Sequence, residues 1–149
     1  MLKFIKRVII AVILVIIFAG VILTYKGYEM YKTALNEISV ADKVSEIKKE
    51  ENYTEINNLP EFYLDAVVAV EDRRFYNHGA IDPIALARAI LVNVKNMELR
   101  EAGSTITQQL AKNIYFTQEK SALRKIAEMF MACEIEKNCD KDTILELYV

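Results

Sequence analysis

The sequence predicts a mainly α-helical protein in which one domain follows a single membrane-spanning helix. Three observations support this class. Residues 8–23 form an uninterrupted apolar run, apolar side chains elsewhere recur at the three- and four-residue spacing of helices, and no β-type alternation is longer than four residues. At 149 residues, the chain has room for one modest domain beside the apolar run.

The apolar run favours an uncleaved membrane anchor over residues 8–25. At roughly 1.5 Å per residue this run gives about 24–27 Å of helix, close to the roughly 30 Å of a bilayer's hydrocarbon core. The alternative is a cleaved signal peptide, which would have a shorter apolar region followed by a small-residue cleavage site. Phe18-Ala19-Gly20 is a poor match to such a site.

The charges around the apolar run predict its orientation. Lys3, Lys6 and Arg7 precede it, so residues 1–7 are expected to be a cytoplasmic tail and the rest of the chain to lie outside. Without these three residues the net charge of −2 becomes −5. A mildly acidic exterior part argues against a nucleic-acid partner.

Residues 26–58 are rich in Lys and Glu, and we expect them to be a spacer, either a juxtamembrane stalk or a loose amphipathic helix near the membrane surface. Cys133 and Cys139 are six residues apart in or near one predicted helix and match no metal-binding spacing. We therefore expect neither a disulfide nor a metal site from them.

Helix-capping signals divide the domain, residues 59–149. Pro60 is expected in the first turn of a helix, Asp82-Pro83 gives an N-cap followed by a first-turn proline, and Thr105 with Gln108 fits a capping box. Asp140 can cap the last helix. The expected helices cover about 60–70, 84–97, 105–116, 121–137 and the residues after 140.

Residues 71–78 (EDRRFYNH) hold two adjacent carboxylates and the one histidine of the chain. In the preceding helix, Phe62-Tyr63, Ala66-Val67 and Val70 form one apolar stripe, and Glu71, four residues after Val67, lies at its end. We expect this carboxylate to be partly desolvated and suited to proton transfer. The alternative is a structural ion pair with Arg73 or Arg74.

Two further segments offer groups that bind anions. Residues 103–113 (GSTITQQLAKN) place a glycine and hydroxyls before a helix start, with Lys112 and Gln109 following; the alternative is a plain helix cap. Lys120, Arg124 and Glu128 share one helical face, where the alternative is an exposed salt-bridge ladder. Residues 103–128 carry four basic and two acidic side chains, which favours a small anionic group as ligand.

Together these stretches resemble the peptidoglycan glycosyltransferases of family 51, found in penicillin-binding proteins and monofunctional glycan polymerases. Residues 71–78 resemble the first motif of the family and residues 103–113 the second. Residues 124–128 (RKIAE) resemble the third, and residues 141–148 (KDTILELY) the start of the fourth. The resemblance covers the chain from Leu59 to Tyr148.

The resemblance implies a lysozyme-like α fold and the inverting polymerisation of lipid II into glycan strands, with release of undecaprenyl pyrophosphate. Glu71 would be the general base and Glu128 the second catalytic carboxylate. Substrate binding would fall to Asp72, Phe75, His78, Ser104, Thr105, Gln109, Lys112, Lys120 and Arg124. No cofactor is required by this scheme, although a divalent cation, Mg²⁺ or Mn²⁺, could assist at the donor pyrophosphate.

The resemblance also implies a single-pass protein of the bacterial cell membrane with its domain outside the cytoplasm. Its partners would be lipid II, the growing glycan strand and other cell-wall synthesis proteins. We expect the domain to be incomplete at its C-terminal end, because the family continues beyond Val149. Two alternatives follow: an inactive membrane-anchored module that binds lipid II or a wall-synthesis protein, and a lysozyme-like hydrolase.

Overall fold

The computed structural model describes residues 1–98, 103–117 and 121–149. Seven α-helices and two short 3₁₀ turns make up its regular structure, and the described residues contain no strand. The helices are α1 (Leu2–Glu37), α2 (Val40–Ile47), α3 (Glu61–Glu71), α4 (Pro83–Asn96), α5 (Ile106–Tyr115), α6 (Ala122–Asn138) and α7 (Lys141–Tyr148). The predicted mainly α class is confirmed.

Helix α1 extends well beyond the apolar run, for 36 residues without a break. Among the described residues it is the one helix long and apolar enough to cross a membrane, and its apolar window is not buried by the rest of the protein. Its length and composition therefore suit the predicted anchor.

Residues 26–58 do not form the loose spacer that their composition predicts. Tyr31 and Val40 are buried members of the hydrophobic core, and Ser39 caps helix α2 through the backbone N–H of Asp42. The prediction failed because Phe130 and Glu134, which pack against Tyr31, come from the distant helix α6. The segment is therefore part of the folded domain.

Glu146 on α7 forms polar contacts with Lys48, Tyr53 and Ile56, which follow α2. The backbone N–H of Ile56 donates to its Oε2 at 2.9 Å, the Tyr53 hydroxyl donates to Oε1, and Lys48 Nζ lies 2.8 Å from Oε1. Burial alone would raise the pKa of Glu146, but Lys48, Tyr53 and the Ile56 N–H outweigh it and lower that pKa below its ordinary value. The carboxylate is therefore held in its charged form.

We expect these contacts of Glu146 to weaken at acid pH, when its carboxylate is protonated. A carboxyl whose pKa is lower in the folded state stabilises the protein above its unfolded pKa of about 4.3, and the stabilisation is lost as the pH falls through the folded pKa. The free energy of unfolding is measured by urea titration in detergent at pH 6 and at a pH below the folded-state pKa of Glu146. Between these two values it should fall by about 1–3 kcal/mol more for the native protein than for Glu146→Gln. Equal pH dependence in both proteins would contradict the assignment.

The core lies between α5, α6 and α7. Its fully buried large side chains are Phe75, Ile106, Leu110, Met131, Ile135, Ile144 and Leu145. Residues of the α1–α2 region and of α3 cover this centre from outside.

Of the stripe that the sequence predicts on α3, only Val67 packs against the core. Phe62 and Val70 are 77% and 81% exposed, while Leu64, Val67 and Val68 pack against the core. Almost every side of α3 carries apolar residues, so the spacing of three and four fits more than one face and cannot choose between them. On α4, Leu86, Ile90 and Val94, which recur at a spacing of four residues, are likewise exposed, at 40%, 54% and 70%.

Asp82 caps α4 as predicted and is 1% exposed. Its Oδ1 accepts the backbone N–H groups of Ile84 and Ala85 at 2.9 and 3.2 Å, and its Oδ2 accepts Arg74 Nε–H at 2.9 Å. Burial opposes its ionisation, but these N–H groups and the charge of Arg74 outweigh burial and lower the pKa of Asp82. The carboxylate joins the chain after α3 to the start of α4.

Asp82→Ala should be strongly destabilising, because it leaves the N–H groups of Ile84 and Ala85 and the Arg74 guanidinium without their acceptor. We expect a loss of about 3 kcal/mol in the free energy of unfolding, measured by urea denaturation in detergent. The matched control is Asp140→Ala, which removes the exposed cap of α7 and should cost about 1 kcal/mol. Equal losses would show that the Arg74 pair adds nothing.

Candidate active site

Glu71 is the last residue of α3 and is exposed. The desolvation expected at the end of a buried stripe is therefore wrong, because α3 turns its Phe62–Val70 face outward. Gln109 on α5 donates from Nε2 to Glu71 Oε2 at 3.0 Å. This bond fixes the carboxylate of an otherwise open position.

A chain of two hydrogen bonds orients the Gln109 amide. Its Oε1 accepts the Tyr148 hydroxyl of α7 at 3.1 Å, while its Nε2 donates to Glu71. Burial and then the nearby charge of Glu71 raise the pKa of Tyr148, so this phenol stays protonated. Tyr148 lies in a predicted motif, but its contact with a residue 39 positions away could not be found from spacing.

The structural ion pair considered for Glu71 is not formed. Arg74 pairs with Asp82 at 2.9 Å, and within the described residues neither Arg73 nor Arg74 is paired with Glu71. Among the described residues, Glu71 therefore has a polar neighbour that positions it and no cation that neutralises it.

Two depressions meet at Glu71. One, of about 370 Å³, is mainly apolar and is lined by Tyr63, Val70 and Tyr148 with Glu71 at its edge. The other, of about 210 Å³, is polar and carries Arg73 and Ser104 on its walls. Glu71 can thus contact two molecules at once, one on each side.

Asp72 and His78 lie inside the protein beside this position. Asp72 is 8% exposed; its Oδ1 lies 2.8 Å from His78 Nε2, and its Oδ2 accepts the Ile106 N–H at 3.1 Å. The first N–H of α5, predicted to be available to an external anion, is thus taken by Asp72. Both residues therefore hold the inner side of the loop that follows Glu71.

Phe75 and Thr105 are also buried; Phe75 can act on a substrate only indirectly, whereas Thr105 lies on the wall of the polar depression. Phe75 is 0% exposed, with Lys141 Nζ 4.3 Å from its ring centre. Thr105 forms the predicted capping box with Gln108 and donates its hydroxyl to the Ala80 carbonyl at 2.8 Å. These residues hold the first two motifs against one another.

Glu128 lies on α6 between two cations and is 1% exposed. Arg124 Nε is 2.8 Å from its Oε1, and Lys125 Nζ is 3.0 Å from its Oε2. Lys125 Nζ also donates to Ser104 Oγ at 2.7 Å, which joins α6 to the polar depression. The exposed salt-bridge ladder is therefore the wrong alternative for Glu128, and sequence reasoning missed the bridging role of Lys125.

The Arg124 guanidinium is held by a hydrogen bond and by a charge contact. Its Nη1 donates to the Thr117 carbonyl at 3.0 Å. Its Nε and Glu128 Oε1 are buried and, within the described residues, lack a hydrogen bond despite their 2.8 Å separation. The pair is therefore a charge contact inside the protein. Lys120, the third predicted member of this face, lies outside the described residues.

Lys112 follows Gln109 on the face of α5 that is not fully buried. It is half-buried, and among the described residues its ammonium has neither a carboxylate nor a hydrogen-bond acceptor as partner. A partly desolvated, uncompensated cation of this kind favours an anionic ligand.

The residues present fit a resident metal ion poorly. Glu128 is already neutralised by Arg124 and Lys125. Ligand atoms of Asp72, His78 and Asp82 lie within 4.8 Å of one another, but both carboxylates are engaged in the bonds described above. We therefore place no step of the reaction on a metal.

The family match covers the folded domain and begins before the predicted domain start. The transglycosylase family model matches residues 38–149, from just before α2 through α7. The chain belongs to the transglycosylase family. The motif resemblance is confirmed, and the helical domain agrees with the lysozyme-like fold expected of a transglycosylase.

Similar proteins carry the same name in several bacteria. The chain is 47% identical over 97 residues to penicillin-binding protein 1A of Aquifex aeolicus (strain VF5), which covers 65% of this chain and 13% of that protein. For penicillin-binding protein 1A of Haemophilus influenzae the identity is 48% over 92 residues, with 62% and 11% covered. For that of Neisseria flavescens it is 46% over 96 residues, with 64% and 12% covered. This transglycosylase chain thus spans about an eighth of the length of these relatives.

Proposed function

We propose that this transglycosylase domain polymerises lipid II into glycan strands and releases undecaprenyl pyrophosphate. The observation that carries the proposal is the position of Glu71 between a polar and a mainly apolar depression. A polymerase must hold a donor and an acceptor on either side of its base, whereas a hydrolase needs room for one sugar chain and water.

Glu71 acts as the general base in this scheme. Its carboxylate takes the proton of the acceptor's 4-hydroxyl while that oxygen attacks the donor's anomeric carbon. The bond from that carbon to the pyrophosphate oxygen breaks, and the pyrophosphate leaves with the electron pair. One displacement inverts the anomeric carbon. Gln109 and Tyr148 support the step because they hold Glu71 without neutralising it.

The leaving pyrophosphate needs positive charge, since its negative charge grows as the bond breaks. Lys112 has no partner among the described residues, and the Arg124 side chain keeps an exposed part of 13%. Lys125 links Glu128 to Ser104. We assign donor-phosphate binding to these three cations, with Glu128 holding Arg124 and Lys125 in place. Lys120 keeps its expected role as a prediction.

The same proposal includes the membrane. We infer that α1 anchors the chain in the bacterial cell membrane, with residues 1–7 in the cytoplasm and the domain outside, where lipid-linked precursors are used. The basic residues before the apolar run support this orientation. Partners among other wall-synthesis proteins stay a prediction, as does a divalent cation on the donor.

The experiment incubates the 149-residue chain in detergent with lipid II and identifies every product. We expect polymer and one released undecaprenyl pyrophosphate for each new linkage. Release of free sugar ends without polymer would instead identify a hydrolase. No product, with binding of the family inhibitor moenomycin retained, would favour the inactive binding module. The last two results contradict the proposal.

A further inference from the structure

Helices α1 and α6 approach each other closely at Gly27. This residue is buried and follows Leu23, the end of the fully apolar run, by four positions. A Cβ atom at Gly27 would lie 2.5 Å from Cγ2 and 2.7 Å from Cβ of Ile126, and 3.2 Å from the Leu123 carbonyl oxygen. Any side chain here would force the two helices apart.

The contact continues along both helices in the same direction. The ring centres of Tyr28 and Phe130 are 5.4 Å apart and those of Tyr31 and Phe130 are 5.8 Å apart. One turn further along α6, Glu134 Oε2 accepts the Tyr31 hydroxyl at 3.2 Å. The two helices therefore run parallel from Gly27 onward, and the first turns of α6 lie at the membrane end of the contact.

The turn of α6 that meets Gly27 also carries the charged groups of the site. Leu123 and Ile126, which face Gly27, flank Arg124 and Lys125, and Glu128 follows within one turn. Four residues of helix rise about 6 Å, so α1 holds this turn roughly 6 Å beyond the end of the apolar run. That is the level of phosphate groups at a bilayer surface.

We propose that Gly27 is a positioning residue, whose close helix crossing sets the height of the Arg124–Glu128 turn above the bilayer. At this height the cations reach a pyrophosphate whose lipid chain stays in the membrane. The identity of that ligand rests on the proposed function; the height of the turn does not.

The test compares Gly27→Ala and Gly27→Leu with Gly20→Ala and Gly20→Leu in the full chain in lipid nanodiscs. Gly20 lies on the same helix, and a Cβ there meets nothing within 4 Å. Each pair raises helix propensity equally, so any difference comes from packing. A fluorophore on the exposed Cys133 of α6, with Cys139→Ser, reports height through quenching by head-group spin-labelled lipids. We expect the change in quenching to be larger for Gly27→Leu than for Gly27→Ala. We expect no change in either Gly20 variant.

A second measurement separates positioning from loss of structure. For lipid II embedded in the nanodisc, kcat/KM of Gly27→Leu should fall about 10²-fold, as expected for a misplaced reacting group. For a short-chain, detergent-soluble analogue it should stay near the native value, because that substrate is not held at a fixed height. Equal losses on both substrates, or unchanged Cys133 quenching in Gly27→Leu, would overturn the inference. If the native chain made no polymer, the proposed function would fail, and the quenching result would still decide the role of Gly27.

Discussion

Glu71→Gln is expected to lower lipid II polymerisation by about 10²–10⁴-fold, the usual contribution of a general base. The amide keeps the size of the side chain and can still bond to Gln109, but it cannot take the proton of the acceptor hydroxyl. Because Glu71 is exposed at the end of α3, the change should leave the free energy of unfolding nearly unaltered. Turnover is measured as polymer formed per minute at saturating lipid II.

The control is Glu61→Gln at the other end of the same helix, which is also exposed. It should leave turnover unchanged. If Glu71→Gln polymerised at a substantial fraction of the native rate, the base would have to be another group.

Glu128→Gln is expected to lower turnover by about 10²-fold, the cost of removing one group that stabilises charge in the transition state. The neutral amide no longer holds the Arg124 and Lys125 cations on either side of it. Arg124 and Lys125 would then repel each other and lose the geometry that suits a leaving pyrophosphate. The same change should also lower the free energy of unfolding by about 3 kcal/mol, since two cations lose a buried partner.

Glu136→Gln provides the matched control for that loss of stability. Glu136 lies on the same helix, accepts the Thr107 hydroxyl at 2.6 Å and pairs with Lys141 at 2.7 Å. Its substitution should destabilise the domain without lowering turnover of the protein that remains folded. A similar fall in turnover for both variants would show that Glu128 acts only through stability.

The helix starts of the domain could be predicted because their signals are local. Asp82, Thr105, Ser121 and Asp140 each accept a backbone N–H two or three residues ahead, so the sequence contains both partners of each bond. The faces of the helices could not be predicted in the same way. The burial of Leu64 rather than Phe62 depends on which side the core occupies, and α3 is apolar on nearly all sides.

The site could be predicted in its members and only partly in its geometry. Glu71, Gln109 and Glu128 were identified from motif and spacing, and the structure brings Glu71 and Gln109 into contact. The bridge from Lys125 to Ser104 joins residues 21 positions apart, and periodicity along one helix carries no information about such contacts. For the same reason the sequence does not predict the burial of Tyr31 against Phe130. The composition of the segment before α3 alone predicts a spacer.

Single-turnover release of undecaprenyl pyrophosphate, measured beside moenomycin binding for the native chain and Glu71→Gln, tests the role of Glu71 most directly. We expect both proteins to bind the inhibitor equally well and only the native chain to release undecaprenyl pyrophosphate rapidly. Equal release from both proteins would contradict the assignment of the base. Loss of inhibitor binding in Glu71→Gln would contradict it too, since Glu71 would then shape the site rather than take the proton.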